Sequence, residues 1–269
     1  NILVSGGCVV VGPFLFAYGS NGLIRNSNTN DFSTATGWTT GGANYANSAN
    51  IGGTKIVKGF AQRGGSGAPA SLYWALDSLI RVTFTGGTTI WRYDPMTVSI
   101  TVMSKSGIIE YDGIYYWAGV DRFFAYNGVV QELPNQMNCN WFFDNLNFAQ
   151  RQKVWAMKIP RFGEIWWFYP RGSATECTDA IIYNVREGTW YDNNMGRSAG
   201  FESQIFHYPI MAGIEDARST TYLAYTGGAG LFRVGDTIVG GTSGAGGTIV
   251  RSLIVSVNAS SITGVTPFI

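Results

Sequence analysis

The sequence predicts an all-β fold: a β-propeller-like succession of four-stranded antiparallel meanders, followed by a small C-terminal β module. Three observations carry this expectation. Short segments rich in Val, Ile, Thr, Tyr, Phe and Trp, residues that suit a pleated and half-buried surface, recur along the chain. Glycine, at 36 residues, punctuates these segments as turns and does not gather in one linker. The strand-and-turn unit repeats at about 40–50 residues, the size of a propeller blade.

In chain order, Val9 to Val11, Phe14 to Tyr18 and Gly22 to Arg25 form a first set of strands. Residues 31–70 are dominated by Ser, Thr, Gly, Ala and Asn, with Phe32, Trp38, Tyr45 and Phe60 as the aromatics, and predict a long polar excursion. Ser71 to Leu76, Ser78 to Phe84 and Thr88 to Tyr93 form the next set. The clearest signal is Gly107 to Leu133. There Ile108 to Tyr111, Ile114 to Ala118, Arg122 to Tyr126 and Val129 to Leu133 are separated by Asp112-Gly113, Gly119 to Asp121 and Asn127-Gly128. Asp-Gly and Asn-Gly supply the positive φ that tight hairpins require. Asp144 to Arg151 is expected to hold a turn or two of helix.

A further meander uses Lys153 to Lys158, Glu164 to Tyr169, Ala180 to Val185 and Thr189 to Tyr191. Tyr208 to Gly213 with Thr221 to Tyr225 suggests another. Stacked blades explain strands that are apolar on both sides, such as Ile165 to Tyr169, because an inner sheet is covered on both faces. A β-sandwich is the structural alternative. We expect one domain over residues 1–230 and a small β module over 231–269. That module contains the glycine-rich run Gly240 to Gly247. Asn1-Ile2-Leu3 without an initiator Met, and the apolar Thr266 to Ile269, suggest a piece of a longer chain, with the module truncated.

Composition narrows the function classes. Hydrophobic residues make up 45% and charged residues 13%, the reverse of a disordered chain. The 39 aromatic rings (16 Phe, 14 Tyr, 9 Trp) demand burial in a core or at subunit contacts. A net charge of +1 and a pI near 7.8 give no basic stripe of the kind that grips nucleic acid. The densest basic stretch, Arg151, Lys153, Lys158 and Arg161, alternates with Val154, Trp155, Met157 and Ile159, as in a strand with one wet face. No apolar run reaches the roughly 20 residues of a membrane span, and no signal-peptide n-region opens the chain. Cys8, Cys139 and Cys177 show no paired spacing, so reduced thiols and synthesis inside a cell are expected.

Candidate chemistry is sparse. The lone histidine, His207, rules out a multi-histidine zinc site, and without a G-x-S-x-G turn it favours no Ser-His-Asp triad. The 240–247 run lacks a following Lys and a helix, so a flexible hairpin loop is preferred to a phosphate loop. Asp94, Asp112, Asp121 and Asp236 do not match calcium-loop spacing and sit beside expected turns. Glu110, Glu164, Glu187 and Glu202 are the carboxylates to test for glycoside hydrolysis, which needs a pair at defined separation. Trp166-Trp167 and Tyr115-Tyr116-Trp117 are the candidate sugar platforms, although neighbours on a strand point to opposite faces. The expectation is a non-enzyme with no catalytic residue, no cofactor and no metal.

Several stretches share a cadence with a known group. Ser106-Gly107-Ile108 through Gly128, Val10-Val11-Gly12-Pro13-Phe14 through Tyr18-Gly19 to Asp31-Phe32, and Glu164 to Tyr169 followed by Tyr183-Asn184-Val185 carry it. Over roughly residues 8–230 the chain resembles the β-propeller of tail nozzle, or tail-hub, proteins of short-tailed bacteriophages, which also help retain packaged DNA. The resemblance implies a structural virion protein made in the host cytoplasm. It further implies a homo-oligomeric ring of six copies, joined to other tail or portal-adaptor proteins, that forms the DNA exit channel and gates the genome. DNA would pass without sequence-specific binding, along a near-neutral or acidic channel surface. The alternative is a glycan-binding or glycan-cleaving β-propeller of a receptor-engaging protein.

Overall fold

The computed structural model describes residues 4–41, 45–62, 69–87, 90–97, 99–203, 205–206 and 208–213. It also describes the backbone of strands at 221–226, 237–239, 246–248, 253–258 and 261–268. The chain divides into two units, Asn1–Gly213 and Ile214–Ile269.

The described part of the first unit holds four antiparallel four-stranded sheets, each a meander of consecutive strands, and one two-stranded sheet. The first sheet contains β1 (Gly7–Val11), β2 (Phe14–Tyr18), β3 (Leu23–Asn26) and β4 (Asn47–Asn50). The second contains β5 (Ile56–Ala61), β6 (Ala70–Ala75), β7 (Leu79–Phe84) and β8 (Trp91–Thr97). The third, β9 (Ile108–Tyr111), β10 (Ile114–Ala118), β11 (Phe123–Tyr126) and β12 (Val130–Glu132), is the meander expected between Gly107 and Leu133. Its first turn is the expected two-residue hairpin: Tyr111 pairs with Ile114, and Asp112 and Gly113 take φ of 52° and 78°. Both central residues at positive φ match the strand twist. The backbone N–H of Gly113 donates to Glu110 Oε1 at 2.8 Å and closes the turn.

Helix α1 (Met137–Asn145) follows, and then a 3-10 helix at Phe148–Lys153. The helical segment thus starts ahead of the expected 144–151. It is anchored by Phe142, buried against Phe123 and Tyr169, a tertiary contact with no signature in local periodicity. The fourth sheet is β13 (Trp155–Ile159), β14 (Glu164–Tyr169), β15 (Asp179–Asn184) and β16 (Thr189–Asn193).

Successive sheets stack through three apolar layers. Phe14, Phe16 and Tyr18 of the first sheet meet Tyr73, Ala75, Ile80, Val82 and Trp91 of the second. The opposite face of the second sheet, with Leu72, Trp74 and Leu79, meets Tyr115, Trp117, Phe124 and Tyr126 of the third. The other side of the third sheet, with Tyr111, Tyr116 and Phe123, meets Ile165, Trp167, Ile181 and Trp190 of the fourth. Adjacent residues on β6, Leu72 and Tyr73, therefore belong to different layers, as the alternation of a strand requires. A two-sheet sandwich buries one face of each sheet. Here the second and third sheets bury both, and the arrangement is propeller-like.

Several local expectations give way. The supposed excursion at 31–70 supplies β4 and β5. β4 (Asn-Ser-Ala-Asn) is an edge strand with almost no apolar residue to announce it. Gly59 on β5 is a contact point: a Cβ there would sit 2.8 Å from the rings of both Tyr18 and Tyr73. What remains of the excursion packs on the first sheet, where the Arg25 guanidinium lies over the Trp38 ring and donates to the Trp38 carbonyl. Asp94 lies within β8, not at a turn, and pairs with Arg92 at 2.8 Å. Its neighbour Pro95 is tolerated because β8 is an edge strand.

The expected pairing of Tyr208–Gly213 with Thr221–Tyr225 is also replaced. β17 (Arg197–Phe201) pairs with β18 (Ile210–Gly213), and lies against β13. Gly200 permits that approach, since a Cβ there would come within 2.7 Å of Met157 Sδ. In the second unit β19 (Thr221–Thr226) pairs with β23 (Ser261–Phe268), which also pairs with β22 (Leu253–Asn258). The two units meet at 213/214. β20 (Thr237–Val239) pairs with β21 (Gly246–Thr248). Most of the glycine run, residues 240–245, and Asp236 lie outside the described residues.

The three cysteines are unpaired, Cys8 exposed and Cys139 and Cys177 buried. Burial, reinforced by the nearby Glu176 carboxylate and opposed by Lys153, pushes the Cys177 thiol up to about 12. Burial also raises Cys139. Since the thiolate is the nucleophile, iodoacetamide at neutral pH should label Cys8 alone in the native protein. Mass spectrometry should find Cys139 and Cys177 modified only after denaturation; equal labelling of all three in the folded state would contradict this packing.

Candidate functional site

The sequence-derived candidates are scattered, and most are occupied structurally. Glu110, at the end of β9, is bonded through Oε2 to Lys158 Nζ at 3.3 Å, tying the third sheet to the fourth. Glu187, in the turn before β16, accepts from the Tyr191 hydroxyl at 2.6 Å and from Thr189 Oγ1 at 3.2 Å. Glu164 opens β14 and accepts from the Trp166 indole N–H at 2.9 Å. Glu202 follows β17 and is half-buried. His207 lies outside the described residues. Among the described residues no three His, Cys, Asp or Glu side chains gather as a metal site. No described helix is long and apolar enough to cross a membrane.

The aromatic candidates divide by strand face. Tyr115 and Trp117 are buried toward the second sheet and Tyr116 toward the fourth. Burial first, and then the neighbouring Tyr183, push the Tyr116 phenol up to about 12. These rings are core, not a sugar platform. Trp167 is core as well, whereas Trp166 reaches an open cleft of about 600 Å³ between the fourth sheet and the β17–β18 pair. Phe162, Met195 and Met211 supply its apolar walls, and Glu164 and Arg197 its charges.

A second cleft, of about 320 Å³, occupies a more telling position. Much of its lining comes from the segments that lead into the first strand of every four-stranded sheet. Ser5 and Gly6 precede β1, Lys55 precedes β5, Ser104 and Lys105 precede β9, and Gln152 precedes β13. The four sheets thus converge on it, as blades converge on the axial end of a propeller. Val57, Leu76 and Val102 supply its apolar lining. The rim is held by backbone: the Gly6 N–H donates to the Tyr18 carbonyl at 3.0 Å and the Leu76 N–H to the Lys55 carbonyl at 3.1 Å. Ser104 Oγ donates to the Val154 carbonyl and accepts from the Gly107 N–H at 2.9 Å, fixing the entry of β9 beside that of β13. Among the described residues no carboxylate lines the cleft. Sequence reasoning missed it, because its residues come from five separate segments and carry no motif.

The fold and these clefts define the chain as an all-β protein of stacked four-stranded sheets with an axial cleft. No protein-family model matches the chain, and no curated protein matches it.

Proposed function

We propose that the protein is a structural component of a phage tail, of the nozzle or hub type, and that it works by assembly and not by catalysis. The carrying observation is apolar surface left uncovered at both ends of the sheet stack. On the first sheet Val10 is 65% exposed and shares a shallow apolar cleft with Phe32. Around the β17–β18 pair Phe201, Ile205, Phe206, Tyr208 and Ile210 are exposed, Tyr208 by 68%. Exposed apolar patches of this kind mark contact surfaces, and permanent interfaces are large and apolar. The residue cadence shared with tail nozzle proteins supplies the context: a homo-oligomeric ring, probed first as a hexamer, bound to other tail or portal-adaptor proteins in the virion. DNA would pass through it without sequence-specific contacts.

Electron microscopy and light scattering of the full chain should reveal rings that Val10→Glu combined with Ile210→Glu reduces to monomers. In the virus, the same changes should leave tails incomplete or leaking DNA. Glu110→Gln and Glu164→Gln should leave infection intact. The cleft at Trp166 favours a second reading, glycan binding, because an indole face flanked by a carboxylate and a guanidinium can stack and hydrogen-bond a sugar. Loss of infectivity from Glu164→Gln or Trp166→Ala with complete tails would favour that reading over assembly.

A further inference from the structure

We propose that the axial cleft binds a compact phosphate-bearing anion, held between the ammonium groups of Lys55 and Lys105. The inference concerns a site separate from the assembly surfaces and does not depend on them. The chain has five lysines. Lys153 and Lys158 are paired with Glu176 and Glu110. The other three, Lys55, Lys58 and Lys105, gather at or beside this cleft without an ion pair among the described residues.

Lys55 and Lys105 are exposed at the mouth of the cleft, where water screens most of their repulsion and leaves both ammonium groups accessible to an anion. At half-buried Lys58, burial first, and then the Lys105 charge, hold the ammonium below the usual lysine range. Its Nζ rests over the Phe60 ring at 5.0 Å, an attraction that offsets part of that cost. The carboxylates hydrogen-bonded to the flanking segments form no ion pair with Lys55, Lys58 or Lys105 among the described residues. Asp77 accepts from Thr54 Oγ1 at 2.6 Å and from Ser78 Oγ at 3.2 Å, and Glu176 is taken by Lys153.

The chemistry of the walls selects phosphate. Two ammonium groups from separate segments balance a dianion, and lysine serves as a point-charge partner for phosphate. The Gln152 amide and the Ser5 hydroxyl, which is within 2.8 Å of Ser20 Oγ, add neutral donors at the rim. The size argues for a compact ligand: 320 Å³ lies at the small end of small-molecule sites. A nucleic-acid backbone would instead need a basic stripe along a surface.

The test is isothermal titration of the full chain with inorganic phosphate at fixed ionic strength, with chloride as the control anion. Saturable binding is expected in the native protein. Lys55→Gln and Lys105→Gln should each weaken it about tenfold or more, as expected for loss of a charged hydrogen-bond partner. Lys153→Gln, whose ammonium is already paired, should leave it unchanged. A measurement on the unsubstituted protein guards against misfolded variants: phosphate should protect Lys55 and Lys105, but not Lys153, from an amine-reactive reagent read by mass spectrometry. Absence of saturable binding, equal affinity in the lysine variants, or uniform protection would overturn the proposal. So would binding of a short oligothymidylate without any response to phosphate. None of these outcomes bears on ring assembly.

Discussion

Trp167→Ala is expected to destabilise the first unit by about 3–5 kcal/mol, the usual range for emptying a large aromatic site. Trp167 has no exposed surface and sits in the layer between the third and fourth sheets, 5.0 Å from the Phe123 ring and 6.0 Å from Trp190. Its indole N–H also donates to the Gly107 carbonyl at 2.9 Å, where the third sheet begins. Truncation therefore removes the packing and leaves a buried carbonyl without its donor, which by itself costs about 1–3 kcal/mol. Trp167→Phe separates the two effects, since it keeps a ring in the layer but loses the hydrogen bond. Denaturant unfolding followed by circular dichroism should place Trp167→Phe between the wild type and Trp167→Ala. A loss for Trp167→Ala within a few tenths of a kcal/mol of zero would mean that this layer is not packed as described.

The second large effect is expected at Gly22, before β3. Its φ is +63°, and a Cβ there would collide with the backbone carbonyl of Ile51. The same glycine is locked to that connector from both sides, its N–H donating to the Thr54 carbonyl at 2.6 Å and its carbonyl accepting from Ile51 N–H at 2.9 Å. Positive φ alone costs a side-chain-bearing residue about 1–3 kcal/mol. The backbone it would strike cannot rotate away as a side chain can. Gly113→Ala is the internal control, with a φ of +78° and nothing within 4 Å of the added carbon. Gly22→Ala should thus lower the unfolding midpoint well beyond Gly113→Ala, or prevent soluble expression. Equal losses at the two positions would show that the close approach to Ile51 has no energetic weight.

The contrast between these two glycines also separates what is local from what is not. Gly113 follows Asp112 between two apolar runs, and its hairpin is legible because turn chemistry acts within a few residues. The same holds for the strands of the third and fourth sheets, whose aromatic and β-branched residues match a half-buried pleat. Gly22 follows Asn21, which also takes a positive φ of 56°, so the turn itself is marked locally; what no local signal announces is the atom Gly22 must avoid, on Ile51 almost thirty residues away. β4 and β17 were illegible for a related reason. Asn-Ser-Ala-Asn and Arg-Ser-Ala-Gly-Phe have weak strand preference, and become strands through pairing with β3 and β18.

The candidate sites divide in the same way. The sequence offered glutamates and aromatics one at a time, and burial decided between neighbours such as Trp166, which lines a cleft, and Trp167, which fills a core. Nothing near Lys55 or Lys105 in the chain announces their convergence, since fifty residues and a whole sheet separate them. The sequence alone determined the all-β class, the tight hairpin turns and most strands of the stacked meanders, because these follow from side-chain shape and backbone preference over short spans. Only the tertiary structure decided which distant segments pair, where the two units divide and which charges meet, because those outcomes depend on whole sheet faces packing at once.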